Sequence, residues 1–356
     1  MMIIRPCAAR DLDALLALAE SASVGLTTLP ADRGLLEERV RASEHAFARK
    51  VLRPAGETYL FVMENLLTGK ILGTCGILSR VGGFEPFYSY SLETAVHASP
   101  QLGVSREMST LHVKADHKGP SEIGTLFVHP DGRGGGNGRL LSLSRFLFMA
   151  AFPERFAEFV LAEMRGVVDA LGHSPFWEAV GRHFFDIEFA EADMQSATDK
   201  QFIADLMPKH PIYIPMLPPE VQAVIGKVHP ETVPAVRLLE QEGFAFANAV
   251  DIFDGGPMYR ARVREVRTVR TSRVVTVARV VPQCATETPL LVSNERLDFR
   301  VCQGVLDVGE DGQAAMPRDV ALALGVRLGD AVRFVEARPR AETGSTVQQD
   351  AAAARA

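Results

Sequence analysis

The chain has 356 residues, of which 47% are hydrophobic and 23% are charged, as in an ordinary globular protein of about two domains. Its formal net charge of −6 argues against nucleic acid or an anionic membrane as the main partner, because both require a concentrated basic surface. No apolar stretch reaches the ~18 residues of a membrane span. The N-terminal apolar run is too short for a signal peptide, and the four cysteines lack metal-site spacing. We therefore expect a cytoplasmic protein with reduced thiols and no metal.

The N-terminal part alternates between strand and helix patterns. Asp11 is a candidate N-cap for the first helix, and Thr68-Gly69 marks a turn between two strands that we expect to form a hairpin. Residues 80–120 have only scattered apolar positions, which indicates an insertion that carries a short hairpin. The predicted strands are Met2–Pro6, Glu57–Glu64 and Lys70–Ser79, and the predicted helices are Leu12–Ser21 and Asp32–Ala48.

The middle of the chain carries a Gly-rich loop between a strand and a helix. Ser121–Val128 is the strand, Gly138–Phe152 the helix, and Phe156–Met164 a further strand. Ser174 and Pro175 are typical of the start of a short helix, which we predict to run through Phe184.

After a less regular, Pro-rich insertion at about 190–230, the pattern predicts a helix over Glu231–Glu242, ended by Gly243. Asp251–Arg262 is predicted as a strand interrupted by Gly255-Gly256-Pro257. The predicted elements that follow are short strands at Arg273–Val281, Leu290–Val292, Phe299–Val305 and 329–335, with one helix at Pro317–Leu324. We therefore predict a main domain over residues 1–262, a small β-rich subdomain over 263–340 and a disordered tail over 341–356.

The loop Arg133-Gly134-Gly135-Gly136-Asn137-Gly138 carries the clearest chemical signal. A pyrophosphate is well held by backbone N–H groups at a helix N-terminus, where the helix dipole also favours an anion. Glycine permits the close approach, because a Cβ would hold the phosphate away. Arg133 adds positive charge where the loop begins. The spacing R-x-x-G-x-G between strand and helix thus points to the pyrophosphate of an acyl-CoA.

Two other interpretations of the loop compete with acyl-CoA binding. One is a turn that merely connects a strand to a helix, and the other is a site for a different nucleotide. The Gly-Lys-Ser/Thr of a Walker loop is absent, and the glycines do not have the G-x-G-x-x-G spacing of a dinucleotide fingerprint.

The strand, loop and helix resemble the GNAT-type acyltransferase superfamily, and nearly the whole chain, from Met1 to about Val335, is more narrowly similar to the arginine N-succinyltransferases. This similarity rests on several segments together, far more than on the loop. They are Gly25–Pro30, Thr125–Phe127, Gly136–Ser142, Glu163–Gly166, Ser174–Trp177, Leu206–Tyr213, Ile225–Pro230 and Asp251–Pro257.

The resemblance implies an α/β (α+β) fold, with a GNAT-like core whose central mixed, mostly antiparallel sheet is flanked by helices. It implies transfer of a succinyl group from succinyl-CoA to the α-amine of L-arginine, with succinyl-CoA as co-substrate and no permanently bound cofactor. It also implies a homo-oligomer, or a hetero-oligomer with a paralogous subunit. The alternatives are a non-catalytic CoA-binding subunit and an enzyme that acts on another amine, such as ornithine or a polyamine.

The resemblance also implies roles for residues around the loop. In GNAT-like proteins the splayed strand before the loop offers backbone N–H groups, which places Thr125–Val128 beside the pantetheine arm and the thioester. Leu126 is the implied succinyl-CoA contact, through its backbone, while its side chain is compatible with the core. The expected cofactor-binding residues are Leu126, Phe127, Val128, Arg133, Gly134, Gly136, Asn137 and Gly138.

A histidine suits the proton transfers, since its unperturbed pKa lies near neutral pH. The motif Gly226-Lys227-Val228-His229-Pro230 makes His229 the implied proton donor to the leaving thiolate, against the plainer interpretation of a loop histidine that caps locally. His210 and His173 are the next candidates, and His129 is expected to shape its turn.

Both substrates carry charges that the site should match. Arg165 and Lys209 are candidates for the succinyl carboxylate, because a cation should meet it. Glu163, Asp205, Asp251 and Asp254 are candidates for the arginine guanidinium, and the sequence does not choose among them. For each of these charged residues a surface role is an equal alternative, and Trp177 is expected in the core.

Overall fold

A computed structural model describes residues 1–22, 28–169, 172–196 and 201–338. The predicted tail at 341–356 and the motif residues 25–27 lie outside these ranges. The described residues form sixteen strands and eleven helices. The strands are β1 Met2–Pro6, β2 Thr58–Asn65, β3 Ile71–Leu78, β4 Phe87–Ser99, β5 Val104–Asp116, β6 Ser121–Val128, β7 Phe159–Glu163, β8 Ile212–Tyr213, β9 Ala245–Val250, β10 Pro257–Arg262, β11 Arg273–Val281, β12 Leu290–Asn294, β13 Val301–Gly304, β14 Asp307–Val308, β15 Gln313–Pro317 and β16 Ala331–Glu336.

The helices range from four to sixteen residues, and the two longest, α2 and α3, pack against central strands of the sheet. They are α1 Leu12–Ser21, α2 Arg33–Ala48, α3 Asn137–Ala151, α4 Pro175–Ala179, α5 Arg182–Phe185, α6 Phe189–Ser196, α7 Gln201–Leu206, α8 Pro219–Gln222, α9 Val233–Gln241, α10 Arg267–Thr271 and α11 Arg318–Leu324. None of the described helices is long and apolar enough to cross a membrane.

All sixteen described strands join one sheet in the order β14-β15-β11-β16-β12-β13-β1-β2-β3-β6-β7-β10-β9-β4-β5-β8. Neighbouring strands are antiparallel except in two pairs, β6 with β7 and β11 with β15. The predicted mixed, mostly antiparallel sheet flanked by helices is therefore confirmed. The hairpin of β2 and β3 forms as predicted.

The main core lies between the sheet and α3. Ten consecutive residues of α3, from Leu140 to Met149, are buried. Among them, Phe148 packs its ring against Tyr59 and Phe61 of β2, and Phe146 packs against Phe244. Because α3 is buried on nearly every side, its N-terminus and the Gly-rich loop before it are held rigidly against the sheet.

Asp11 does not cap α1 with its side chain, although the helix begins where predicted. Its carboxylate instead accepts bonds from the Arg5 guanidinium, at 2.6 and 2.8 Å, and from the Ala8 N–H at 2.9 Å. The buried Arg5 offers a charged donor, and a charge-assisted pair is stronger than a cap to a neutral amide. Asp32 does cap α2, since it accepts from the Leu35 N–H at 2.8 Å.

Two predictions, one about an insertion and one about a turn, were wrong in part. The hairpin expected to be short in 80–120 is formed by β4 and β5, which pair over thirteen residues each. Near the sheet Tyr88, Tyr90 and Leu92 alternate with polar residues, but the half of the hairpin towards its tip is exposed and lacks this alternation, so the sequence understates the length of the hairpin. Of the interrupted strand predicted at 251–262, Pro257–Arg262 forms β10 as predicted, whereas residues 251–256 form the turn between β9 and β10. The turn is held by Asp251 Oδ1, which accepts from the backbone N–H groups of Phe253 and Asp254.

The helix predicted through Phe184 is broken into α4 and α5 at Gly181, where a Cβ would lie 2.1 Å from the Trp177 ring. Ser174 caps α4 as predicted, since it accepts from the Trp177 N–H at 3.1 Å. Trp177 itself is fully buried, which confirms its expected place in the core.

The C-terminal strands extend the same sheet. Strand β13 pairs antiparallel with β1, with Ile3 opposite Cys302 and Ile4 opposite Val301. A second core cluster lies on these strands and α11. The strand-rich character predicted after residue 263 is confirmed, while the division of the chain into a main domain and a subdomain stays a prediction.

Candidate active site

The two parallel strands at the centre of the sheet separate soon after they begin. Strands β6 and β7 pair only at Ser121 with Val160 and at Glu122 with Leu161. Beyond that point β6 continues to Val128 beside β3, while β7 continues to Glu163 beside β10. A wedge therefore opens between them, with the backbone of β6 as one wall.

The direction of each backbone N–H group in β6 determines which hydrogen-bond donors face the wedge. The His129 N–H donates to Leu72 O of β3 at 2.9 Å, and Phe127 lies opposite Thr74 in the same ladder. Because successive amides in a strand point in opposite directions, the N–H groups of Leu126 and Val128 face away from β3 and into the wedge. These two N–H groups are placed to donate to a carbonyl oxygen of a bound ligand, in a thioester or in an amide.

Thr125, which was expected to contribute a free amide, is occupied. Its N–H donates to Thr28 Oγ1 at 3.1 Å, and its hydroxyl donates to Thr28 O at 3.2 Å. Its φ of +54° is a left-handed conformation that strains a β-branched residue. The two hydrogen bonds that Thr125 donates to Thr28 fix this bend in β6. Thr125 therefore shapes the wedge, and its N–H is not a donor for a ligand there.

The Gly-rich loop closes the end of β6 and begins α3. Gly134, Gly135 and Gly136 have φ values of +95°, +57° and +82°, so three successive residues adopt a conformation that other residues rarely take. Gly136 is the N-cap of α3, and the Asn137 side chain donates to Gly132 O at 2.9 Å, which ties the loop together. The Asn137 N–H donates to Gly134 O at 3.0 Å, so the amides at the start of α3 that remain for an anion are those of Gly138 and Arg139.

Arg133 lies exposed at the start of this loop, with Nε donating to Val128 O at 3.3 Å. Gly134, Gly136 and Gly138 are exposed as well. The cofactor residues predicted from the sequence therefore lie together, along the wedge wall and round the helix N-terminus. The side chains of Leu126 and Val128 pack on the main core, which leaves only their backbone for a ligand.

His229 lies on the opposite side of the wedge, in the loop before α9. Its N–H donates to the carbonyl of Arg165, two residues beyond β7, at 2.9 Å. Its Nδ1 accepts from the Glu231 N–H at 3.3 Å, so in the neutral ring the proton is assigned to Nε2. The Glu231 carboxylate lies 3.9 Å from Nδ1 and 3.6 Å from the Arg165 guanidinium.

The pKa of His229 is lowered from its ordinary value, first by burial and then by the positive charge of Arg165, while Glu231 opposes the change. The side chain is 17% exposed. A histidine in this position is neutral at pH 7, and it becomes a proton donor only after it has first taken up a proton.

A cavity of about 380 Å³ lies at the base of the wedge and is lined from both strands. We call it the acceptor cavity and define it by Arg39, Glu122, Thr125, Glu163 and Asp251 among its lining residues. Three of these side chains are carboxylates. Arg39 is the only arginine or lysine among the described residues that line it.

The charges of the acceptor cavity are partly buried. Burial lowers the pKa of Arg39, while the carboxylate of Glu122 acts in the opposite direction. Burial raises the pKa of Asp251, although backbone amides that donate to it oppose the shift. A cationic ligand beside Asp251 would recover electrostatic energy that burial has cost that carboxylate.

Two of the four carboxylates proposed for the guanidinium line the acceptor cavity, Glu163 and Asp251. Asp205 is exposed on α7 and accepts from Gln201, and Asp254 binds the backbone of Gly166 and Gly256. The sequence analysis missed Glu122 and Arg39. The signal for Glu122 was a charged residue inside a strand whose neighbours on both sides are buried.

Lys209 and His210 are exposed in the segment before β8, which pairs with β5, and neither is among the described residues that line the acceptor cavity. His173 is exposed, and its Nδ1 is hydrogen-bonded to the Asp169 carboxylate at 3.1 Å. His129 accepts from the Asp131 N–H, which confirms that it shapes its turn.

Comparisons with known proteins cover nearly the whole chain. A family described as "Arginine N-succinyltransferase beta subunit" matches residues 2–268, and the C-terminal domain of the same family matches residues 273–336. The arginine N-succinyltransferase of Enterobacter sp. (strain 638) is 50% identical over 84% of this chain and 87% of its own length. That of Escherichia coli (strain 55989 / EAEC) is 44% identical over 94% of this chain and 97% of its own.

One solved structure agrees with the fold along almost all of both chains. Subunit AI of the arginine/ornithine succinyltransferase from Pseudomonas aeruginosa is 38% identical, covers 95% of this chain and 99% of its own, and has a TM-score of 0.87. The similarity read from the sequence segments and the fold that it implied are both confirmed.

Proposed function

Because this chain belongs to the arginine N-succinyltransferase family, we propose that it transfers the succinyl group of succinyl-CoA to the α-amine of L-arginine. The products are N2-succinyl-L-arginine and CoA. Family membership makes the chain an acyltransferase that uses an acyl-CoA. The choice of succinyl and arginine rests on the names of its relatives, and the observation that carries the proposal is a cavity with three carboxylates beside the wedge.

The acyl-CoA lies along the wedge in this proposal. Its pyrophosphate binds the amides at the N-terminus of α3, where the loop glycines let the phosphates come close. The pantetheine arm then runs between β6 and β7, and the thioester carbonyl meets the N–H groups of Leu126 and Val128. Two such donors, fixed before the reaction, stabilise the oxyanion that develops in the tetrahedral intermediate.

Arginine occupies the acceptor cavity. Its guanidinium pairs with carboxylates among Glu122, Glu163 and Asp251, which are the cavity's negative charges. Arg39 supplies the positive charge for a carboxylate, which both substrates carry. Arg165, whose guanidinium lies 3.6 Å from Glu231 beside His229, is a second candidate cation for the succinyl carboxylate, whereas Lys209 and His210 are exposed in the segment before β8.

His229 moves the proton between the two reacting centres. The ammonium of arginine gives up one proton to become a nucleophile. The neutral His229 ring already carries a proton on Nε2, so it becomes an imidazolium by taking up a proton at Nδ1, beside the Glu231 carboxylate. Attack of the amine on the thioester carbonyl then forms the C–N bond, and the C–S bond breaks. The departing thiolate takes the Nε2 proton of the imidazolium, whose charge is stabilised by the Glu231 carboxylate at 3.9 Å, and the newly bonded nitrogen loses its second proton to solvent as the amide forms.

Release of free CoA thiol tests the proposal directly. The chain is mixed with succinyl-CoA, with and without L-arginine, and the product is identified by mass spectrometry. We expect thiol release only when arginine is present, together with a product that carries the succinyl group on the α-nitrogen. Equal turnover of acetyl-CoA, or release that does not depend on arginine, would refute the specific assignment.

The Pseudomonas relative favours a second candidate function. Its name joins arginine with ornithine and describes a subunit, so we also consider a subunit that prefers ornithine or that needs a paralogous partner to act. Initial rates with arginine and ornithine, measured on the chain purified alone, separate these cases. An inactive single chain that binds CoA would favour the non-catalytic subunit.

A further inference from the structure

A second cavity, of about 390 Å³, lies between the Gly-rich loop and the C-terminal strands. We call it the loop cavity and define it by Gly136, Arg139, Pro289, Gln303 and Arg338 among its lining residues. It lies beside the first turn of α3 and is distinct from the acceptor cavity, with which it shares none of its lining residues.

Hydrogen bonds join the C-terminal strands to the Gly-rich loop and to the first turn of α3 at the loop cavity. The Gln303 side chain of β13 donates to Gly135 O at 3.1 Å, and a Cβ at Gly136 would lie 2.8 Å from its amide nitrogen. Arg139 in turn donates to Ala337 O at 3.4 Å and to Gln241 at the end of α9 at 2.9 Å. The phosphate-binding loop and the C-terminal strands therefore form the cavity jointly.

The mouth of this cavity is positively charged in a chain whose net charge is negative. Arg139 and Arg338 line it together with one carboxylate, Glu336. A third guanidinium, that of Arg267, lies close by but is paired with the buried Glu242 at 2.7 Å. Two cations and one carboxylate leave a net charge of about +1 at the cavity itself.

The positive charges of Arg267 and Arg338 act on the Arg139 guanidinium. Burial lowers the pKa of Arg139 first, and the positive charges of Arg267 and Arg338 lower it further. An anion bound between Arg139 and Arg338 would relieve this repulsion, and a guanidinium is well suited to bind a phosphate.

We propose that the loop cavity holds the 3′-phosphoadenosine end of the acyl-CoA, with the adenine on Pro289 and the 3′-phosphate between Arg139 and Arg338. The inference rests on the proposed use of acyl-CoA and names a further part of that ligand's site. The adenosine is attached directly to the pyrophosphate, so it must lie next to the loop glycines. The C-terminal region then acts as the nucleotide side of the active site.

The test compares CoA with 3′-dephospho-CoA, which differs only by the phosphate in question. Dissociation constants for both are measured by isothermal titration calorimetry, without arginine or an acyl group. We expect the unaltered chain to bind CoA about tenfold more tightly, the factor that one charge-assisted contact of about 1.4 kcal/mol gives. In Arg338→Gln, CoA should bind about tenfold more weakly while 3′-dephospho-CoA binds as before.

Arg327→Gln is the matched control, because it removes the same charge from an exposed position that does not line the cavity. It should keep the preference for CoA. Arg139 also donates hydrogen bonds to Ala337 and Gln241, so its replacement would disturb the structure. The test therefore uses Arg338, whose side chain is exposed.

Two results would overturn the inference and spare the proposed function: equal affinity of the unaltered chain for CoA and 3′-dephospho-CoA, or an equal loss of affinity for both in Arg338→Gln. If the unaltered chain bound neither compound, the proposed use of acyl-CoA would fall together with the inference.

Discussion

The two sides of the wedge differ in the groups that they offer to a ligand. In the proposed site the acyl-CoA side offers backbone groups, namely the amides of Leu126 and Val128 and the glycines before α3. The acceptor side offers side chains, namely the carboxylates of the acceptor cavity and His229. A thioester and a pyrophosphate need donors at fixed positions, which a strand and a helix end provide. Arginine needs charges, which only side chains supply.

The largest expected effect belongs to the side chain that moves the proton. His229→Ala should lower kcat by about 10²–10⁴-fold, the usual contribution of general acid–base catalysis, and should leave the Kd for CoA nearly unchanged. Steady-state rates at saturating substrates and a separate CoA titration give the two quantities.

His229→Asn separates this role from a structural one. Its side-chain oxygen is able to accept the Glu231 N–H as Nδ1 does, so the local turn should survive. We expect the Asn variant to be as slow as the Ala variant. If Asn restored the rate, His229 would be a cap and not a catalytic residue.

A negative charge at the helix N-terminus should affect only the acyl-CoA side. Gly138 lies in the first turn of α3 with no heavy atom within 4 Å of an added Cβ, and its φ is not in the left-handed region. Gly138→Asp should raise the KM for acyl-CoA about 100-fold through repulsion of the phosphates, which corresponds to ~2.7 kcal/mol.

The thermal midpoint of unfolding of Gly138→Asp should not fall, because an acidic residue there favours the helix dipole. Gly138→Asn has nearly the same size without the charge and is the control. A similar KM increase in both variants would mean that steric hindrance, and not phosphate charge, explains the loss.

Removing one carboxylate from the acceptor cavity should affect only the other substrate. Glu163→Gln is expected to raise the KM for arginine about tenfold, the effect of losing one ion pair with the guanidinium, and to leave the KM for acyl-CoA unchanged. Asp205→Asn, on the exposed face of α7, should change neither value. Initial rates over a matrix of both substrates measure this. An increase in the KM for acyl-CoA instead would place arginine elsewhere.

The smallest effect concerns pH. Because the pKa of His229 is lowered and the neutral ring is the reactive form, kcat should fall as pH decreases through a value below the ordinary ~6.5 of histidine. Glu231 opposes that shift, so Glu231→Gln should move the acid limb of the kcat profile to still lower pH, by less than about one unit at this exposed carboxylate. A shift to higher pH would contradict this arrangement of charges.

The acyl-CoA side and the acceptor side of the wedge also differ in how much of each was predictable from the sequence. Strand β6 and helix α3 were predictable because an apolar run, a glycine-rich turn and an apolar helix follow one another along the chain. The bounds of β6 agree with the prediction, and α3 begins within one residue of it. The resemblance to relatives placed His229 in its loop, since the motif around it is continuous.

The acceptor cavity was not predictable in the same way. It combines α2, β6, β7 and the turn at Asp251, which are distant in sequence, and neither Arg39 nor Glu122 belongs to a recognisable motif. The occupied amide of Thr125 depends on the side chain of Thr28, 97 residues away. The hairpin of β4 and β5 was predicted too short, because its half towards the tip is exposed and lacks the apolar alternation of the half near the sheet.

A crystal structure of the chain with CoA and L-arginine tests the division between the two sides most directly. We expect the pyrophosphate on the amides between Gly134 and Gly138, the pantetheine arm between β6 and β7, and the guanidinium among Glu122, Glu163 and Asp251. His229 should lie within reach of both the arginine α-nitrogen and the CoA sulfur. Arginine bound outside the acceptor cavity, or CoA bound away from the α3 N-terminus, would contradict the proposed site.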